Sequence, residues 1–187
     1  MIPIRNRKKT LQVTVDEMRN FALSYVEKYA PSKQQLRTYL LKKYLKSSVP
    51  NVKKQDVTSL IDIVLSDLEK SKFINDKFYS ESKAKSMIQR GSSINKIRSY
   101  LIGKGINSEF IKDTVNKIQD ENSDQDFFSA IKICKKKRIG PARTEDNRPL
   151  FYKKDISLLA RNGFDFETSK KVMEIEKDDF LKIIKLL

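Results

Sequence analysis

The 187-residue sequence has no histidine, no tryptophan and a single cysteine, Cys134. Without histidine, the usual zinc ligand sets and the commonest general base are both missing, so we expect neither a metal site nor an enzyme. One cysteine cannot form an internal disulfide, which favours a reducing cytosol, and we expect Cys134 to be a small buried apolar residue. Neither of the common glycine-rich phosphate loops occurs, so no cofactor is expected.

Long apolar runs are also missing. No stretch approaches the roughly eighteen apolar residues that a membrane-spanning helix needs. The N-terminus is basic but is not followed by the apolar segment of a secretory signal, so we interpret residues 1–14 as a flexible basic arm and expect a cytoplasmic protein. With 39% apolar residues, 34% charged residues and only five glycines, the composition is typical of helices that each bury one narrow face.

A strong positive charge is present. The formal net charge is +15 and the pI is near 9.8, a bias that indicates an anionic partner. Nucleic acid is the first candidate, and an anionic membrane surface is its rival.

The chain also contains a repeat. Residues 36–43 read LRTYLLKK and residues 97–104 read IRSYLIGK, with four of the eight positions identical. Ser32 precedes Gln35 at the spacing of a capping box, which predicts a helix that begins near residue 33. The second copy begins at Ser93. The octet is therefore predicted to be the second helix of a repeated three-helix unit.

The second copy continues with a turn at Gly105 and a helix capped by Asn107, with Ile106 packing on Ile111 as a hydrophobic staple. A fainter third copy occurs in LLARNGFDFETSKKVMEI, residues 158–175, where glycine and an aspartate cap recur. The first copy differs, because Tyr44 stands in place of the glycine and residues 46–55 have no counterpart.

These observations predict an all-α fold of tandem three-helix modules in an elongated body, straight or curved, and a monomer. After the arm, module 1 spans residues 15–73 with the inserted loop 46–55, module 2 spans 74–122 and module 3 spans 123–187. The first helix of module 3 is predicted over residues 126–138.

The central segment FINDKFYSESKAKSMIQRGSSINKIRSYLIGKGINSEFI, together with KKKRIGPAR at 135–143 and RNGF at 161–164, resembles the RecX family of RecA regulators over nearly the whole chain. A DxxY helix start, a glycine before the second helix and an LxxKGI turn occur in the family's order. The resemblance implies a protein that binds along the groove of the RecA–DNA filament and contacts more than one RecA subunit. It also implies that the protein checks filament extension and dampens RecA's ATPase, strand exchange and co-protease activities, in recombination, DNA repair and the SOS response, without chemistry of its own.

A basic surface is the candidate binding site for RecA or DNA. Its predicted residues are Arg37, Lys43, Arg90, Arg98, Lys104, Lys135, Lys136, Lys137, Arg138, Arg143 and Arg161. Arg37 and Arg98 occupy equivalent positions in two modules, which fits either one continuous binding surface or an ordinary solvated helix face. Tyr39 and Tyr100 could stack on bases, although half-buried packing is the favoured interpretation.

The densest run, 135–138, lies at a predicted helix C-terminus, where the helix dipole favours cations. Four consecutive cations repel one another, however, and a polyanionic partner explains them better. Binding to single- and double-stranded DNA is then expected to be weak and salt-dependent. The alternative function is a sequence-tolerant DNA- or RNA-binding protein that acts without RecA, although Glu109 would face phosphate unfavourably in a recognition helix. An enzyme would need a convergent acidic, cysteine or lysine site, and no such pattern is evident.

Overall fold

The structure, a computed structural model, describes residues 11–46 and 53–187. Within these ranges the chain forms ten α-helices and no β-strand, which confirms the all-α prediction. The helices are α1 Val15–Tyr29, α2 Lys33–Lys46, α3 Lys54–Lys70, α4 Asp76–Gln89, α5 Ile94–Gly103, α6 Ser108–Glu121, α7 Gln125–Lys137, α8 Asn147–Arg161, α9 Phe166–Met173 and α10 Lys177–Leu186. Residues 1–10 of the predicted arm and 47–52 of the predicted loop lie outside the described residues.

The chain separates into two compact units, Met1–Asp76 and Lys77–Leu187. In the first unit, α1, α2 and α3 enclose one apolar core. The N-terminus of α2 is closed by the predicted capping box, because the Gln35 N–H donates to Ser32 Oγ at 3.2 Å and the Ser32 N–H donates to Gln35 Oε1 at 3.1 Å. Reciprocal bonds of this kind satisfy amide groups that a helix start leaves without partners. The buried core residues are Met18, Ala22, Leu36, Leu40, Tyr44, Val57, Ile61, Val64, Leu65, Leu68 and Ile74.

Helix α2 continues past the point where the other copies of the repeat turn. Tyr44 lies inside α2 and is only 2% exposed, with its ring edge against Phe21 at a centroid distance of 6.5 Å. The equivalent residue of the second copy, Gly105, has a φ of 71° and reverses the chain. A tyrosine adopts that backbone conformation only at a cost, so the helix runs on and its ring fills the core.

In the second unit, α4, α5 and α6 share a core that follows the predicted second copy. Ser93 caps α5 by accepting the Lys96 N–H at 3.1 Å, and Asn107 caps α6 by accepting the Glu109 N–H at 2.9 Å. Both caps were predicted from the sequence. The buried residues are Tyr79, Ala84, Ile94, Ile97, Leu101, Ile106, Ile111, Val115 and Ile118.

Helices α7 to α10 surround a third cluster of buried residues. Helix α7 begins and ends one residue before its predicted bounds, and Asp165 caps α9 by accepting the Thr168 N–H at 2.6 Å. Helix α10 packs Phe180 into the same core and has no counterpart in a three-helix module. The buried residues are Ala130, Ile131, Ile133, Cys134, Ile139, Leu159, Phe164, Val172, Met173 and Phe180.

The two repeated tyrosines are half-buried and pack on neighbouring rings. Tyr39 stacks on Tyr25 at a centroid distance of 4.0 Å, and the hydroxyls of Tyr79 and Tyr100 lie 3.4 Å apart. Cys134 is fully buried, and burial raises the pKa of its thiol to about 12. The three modules and the elongated shape stay predictions, although the three clusters of buried residues follow the predicted modules except at Ile74, which packs with the first cluster.

Candidate nucleic-acid interface

The basic run, which we define as Lys135, Lys136, Lys137 and Arg138, forms the last turn of α7 and its C-cap. All four residues are exposed, and none makes an ion pair with another residue in the described ranges. The helix dipole stabilises cations at this end, but it does not neutralise their mutual repulsion. The run therefore presents an unneutralised positive charge to solvent.

Arg138 ends α7 in a left-handed backbone conformation. Its φ is 54° and its ψ is 50°, and its N–H closes the helix on the carbonyls of Cys134 and Lys135. Glycine is the usual residue at this position, and another L-residue costs roughly 1–2 kcal/mol. The sequence thus carries a guanidinium where a neutral glycine would be more stable, which is a pattern associated with functional sites.

Arg143 has an intramolecular role. Its guanidinium donates to Asp155 through Nε at 2.6 Å and through Nη2 at 2.9 Å, and Asp155 is only 1% exposed. The same carboxylate accepts the Gly140 N–H at 2.9 Å. A buried carboxylate needs a partner of this kind, because an unpaired buried charge is strongly destabilising. Arg143 therefore holds the segment after the basic run, and its contact with DNA or RecA stays a prediction.

Two predicted residues of the first unit also have partners within the protein. Arg37 makes a two-pronged ion pair with Asp62, with Nε to Oδ1 at 3.0 Å and Nη2 to Oδ2 at 3.2 Å. The ammonium group of Lys43 lies 3.6 Å from the centroid of the Phe21 ring. Both contacts compete with binding of an external anion. The arginines at the two equivalent positions of the repeat, Arg37 and Arg98, thus have different surroundings, because Arg98 makes no such ion pair in the described chain.

Of the remaining predicted residues, Arg90, Arg98 and Arg161 are exposed, and Lys104 is half-buried with its ammonium group 5.1 Å from the Tyr100 ring centroid. Arg90 precedes Gly91, whose backbone lies against α7. A Cβ on Gly91 would stand 3.0 Å from Lys132 Cβ. Arg90 is thus the sequence neighbour of a residue that packs on α7, the helix that carries the basic run.

Arg161 ends α8, and the turn that follows it packs against the start of α5. Ser93 Oγ donates to the Asn162 carbonyl at 2.8 Å, and Asn95 Nδ2 donates to the Gly163 carbonyl at 3.2 Å. Lys96 Nζ donates to Asn162 Oδ1 at 2.9 Å. Lys96 therefore contacts Asn162, the residue that follows Arg161 in the sequence. Lys96 was not among the predicted site residues, because the repeat identified its position only as part of the first turn of a helix.

Two aspartates cap the second helices of the repeat from outside those helices. Asp76 Oδ1 accepts the Lys33 N–H in the first unit, and Asp126 Oδ1 accepts the Ile94 N–H in the second, both at 2.8 Å. In each case the donor is the first residue after the capping serine. Burial raises the pKa of both carboxyl groups above its ordinary value, and the hydrogen bond from the amide opposes this rise. Sequence reasoning interpreted Asp76 only as a helix start.

The described residues show no arrangement of three or more cysteine, aspartate or glutamate side chains that could hold a metal ion. In the same residues, no helix combines the length and apolar character that crossing a bilayer requires.

A comparison with curated proteins and a comparison with solved structures both find RecX proteins. No protein-family model matches the chain. The chain is 32% identical over 177 residues to the regulatory protein RecX of Myxococcus xanthus (strain DK1622), and the alignment covers 91% of each protein. It is 26% identical to the regulatory protein RecX of Agrobacterium fabrum (strain C58), with 86% of this chain and 84% of the relative covered. A crystal structure of a regulatory protein RecX shares the fold, with a TM-score of 0.60 and 20% identity over 86% of this chain and 74% of that chain. With close to a third of its residues identical to one of these relatives over nearly its full length, the chain belongs to the RecX family.

Proposed function

We propose that this protein binds the RecA–DNA filament and limits the ATPase, strand exchange and co-protease activities of RecA. Similarity to relatives that are named regulatory proteins supports a regulatory role. The structural observation that carries the proposal is the basic run, four adjacent exposed cations without a carboxylate partner in the described ranges. A surface of this kind fits a polyanionic filament. The protein acts as a cytoplasmic monomer and by binding alone.

An assay of RecA ATPase on single-stranded DNA, with and without this protein, tests the proposal. We expect the rate of ATP hydrolysis to fall as the protein is added. We also expect the protein to bind RecA-coated DNA more tightly than the same bare DNA. Equal affinity for both would favour the alternative, a DNA- or RNA-binding protein that acts without RecA.

Reversing the charge of the basic run distinguishes a role in binding from a role in folding. The variant K136E/K137E/R138E changes exposed residues, where single substitutions usually alter the free energy of unfolding by no more than about 0.5 kcal/mol each. We expect nearly unchanged thermal unfolding but a sharp loss of ATPase inhibition, because the reversed charge repels the filament.

The matched control is Leu101→Ala, which changes a fully buried residue of α5. It should cost about 2–5 kcal/mol of stability and reduce inhibition only through unfolding. Full inhibition by the charge-reversed variant would show that the basic run is an ordinary solvated helix end. Unfolding of that variant would instead make the run structural.

A further inference from the structure

A groove with a volume of about 670 Å³ lies between α4 and α6 in the second unit. Its apolar lining includes Ala84, Ile88 and Ile118. Beside it, the buried hydroxyls of Ser80 and Thr114 lie 2.9 Å apart and fix the two helices to each other. The groove is thus a preformed recess of a size that takes up apolar side chains from a partner.

The charges around this groove differ from those of the basic run. Glu81 and Glu121 line it together with Lys85 and Lys117, and Lys117 Nζ lies 3.8 Å from Glu81 Oε2. An adjoining recess, which shares Glu81, Lys117 and Glu121, adds one lysine and two aspartates. The charged residues that the recess adds are Lys77, Asp113 and Asp120.

Four carboxylates and three ammonium groups give this surface a net charge of −1, whereas the whole chain carries +15. Asp113, Asp120 and Glu121 make no ion pair within the described residues, and neither do Lys77 and Lys85. Three carboxylates and two ammonium groups of this surface are therefore available to external groups, with the carboxylates in excess by one. A phosphate backbone placed here would meet more unpaired carboxylates than unpaired ammonium groups, together with an apolar floor, and both are less favourable to it than the basic run.

We propose that the α4–α6 groove docks a protein segment that presents an apolar side chain next to lysine or arginine. This inference rests on the proposed function and deepens it, because the segment then belongs to RecA in the filament. The apolar side chain enters the groove, and its cationic neighbours face Glu121, Asp120 and Asp113. In this arrangement the basic run binds the DNA of the filament, and the groove binds RecA.

The test compares binding to a single-stranded oligonucleotide, bare and coated with RecA from the same organism. The variant E81K/E121K reverses two rim charges. The control E145K/E167K makes the same change in net charge at two exposed residues that do not line the groove. A second variant, Ser82→Trp, occupies the groove from an exposed position on α4 and leaves the charges unchanged.

We expect E81K/E121K and Ser82→Trp each to weaken binding to coated DNA by about tenfold, since like charges and an occupied pocket both oppose docking. Binding to bare DNA should stay equal or become tighter for E81K/E121K, and the control should keep its affinity for coated DNA. If both groove variants bind coated DNA as tightly as the parent does, the groove assignment is wrong and the proposed function stands. A parent with no preference for coated DNA overturns the proposed function and, with it, RecA as the occupant.

Discussion

Arg138 combines an unfavourable backbone conformation with an exposed charge. Replacement by glycine should relieve the cost of the left-handed conformation, so Arg138→Gly should raise the free energy of unfolding by roughly 1 kcal/mol. The same change removes one cation from the basic run. If that cation contacts a phosphate, the slope of log affinity for DNA against log salt should become shallower by about 1.

Arg138→Lys is the control, because lysine keeps both the charge and the conformational cost. It should leave the unfolding midpoint and the salt slope close to those of the parent. Chemical denaturation and DNA titration at several salt concentrations measure the two quantities. A glycine variant with an unchanged salt slope would show that Arg138 does not contact phosphate.

The Asp126 carboxyl, whose pKa is raised mainly by burial, should make stability depend on pH. Because the folded state holds its proton more tightly than the unfolded state, its contribution to stability is fully present below the unfolded pKa of 3.8. That contribution is lost as pH rises through the higher folded pKa. Asp126→Asn cannot titrate, so the parent should gain stability relative to this variant as pH falls from 7 towards about 4.

Denaturant unfolding of the parent and Asp126→Asn across this pH range gives the required difference. Asp76→Asn should show the same direction, because Asp76 caps α2 in the same way and its pKa is raised by the same cause. A constant difference between parent and variant at all pH values would contradict the raised pKa.

The turn between α8 and α9 depends on Gly163. Its φ is 88°, and a Cβ there would stand 2.5 Å from Ser93 Oγ and 3.2 Å from the Lys96 backbone nitrogen. Gly163→Ala should therefore both strain the turn and push it away from α5, at a cost of about 2–5 kcal/mol in the free energy of unfolding.

Gly103 offers a matched control within the same unit. It lies at the end of α5, its φ is not positive, and no atom beyond its chain neighbours and the backbone of its own helix lies within 4 Å of a Cβ built on it. Gly103→Ala should stabilise the protein by about 0.5–1 kcal/mol, because alanine loses less conformational entropy in a helix. Thermal unfolding of both variants checks the pair, and equal effects of the two substitutions would contradict a special role for Gly163.

Local signals in the sequence were sufficient to place most helix ends. The Ser32–Gln35 capping box and the Asn107 cap depend on residues two or three positions apart, so spacing alone reveals them. The extension of α2 beyond Tyr44 was not predicted in detail, because it depends on the core that receives the ring.

Contacts between residues far apart in sequence explain what spacing could not predict at the candidate site. Arg143 looked like one more cation of a basic segment, yet it neutralises Asp155, which is buried only once α8 has packed. Arg37 is likewise paired with Asp62 on another helix. The basic run could be predicted, because four adjacent cations at a helix end find no local carboxylate.

The net charge of +15 gives the whole protein an attraction for polyanions that does not depend on one site. Ion pairs within the chain occupy some of its cations, including Arg37 and Arg143, while the basic run has no carboxylate partner among the described residues. The groove between α4 and α6 lies on a surface with no excess of positive charge. Attraction to DNA is therefore expected to depend on surfaces other than this groove.

Binding to bare DNA should consequently be weak, tolerant of sequence and steeply dependent on salt. If about six phosphates are neutralised, counterion release predicts that affinity falls roughly a thousandfold between about 50 and 200 mM salt. The basic run supplies four of the required cations, so K136E/K137E/R138E should make this dependence much shallower. Titration of unrelated oligonucleotides at several salt concentrations measures both properties. Affinity that holds steady across this range, or that strongly prefers one duplex, would mean that base contacts dominate over phosphate contacts and would favour the function without RecA.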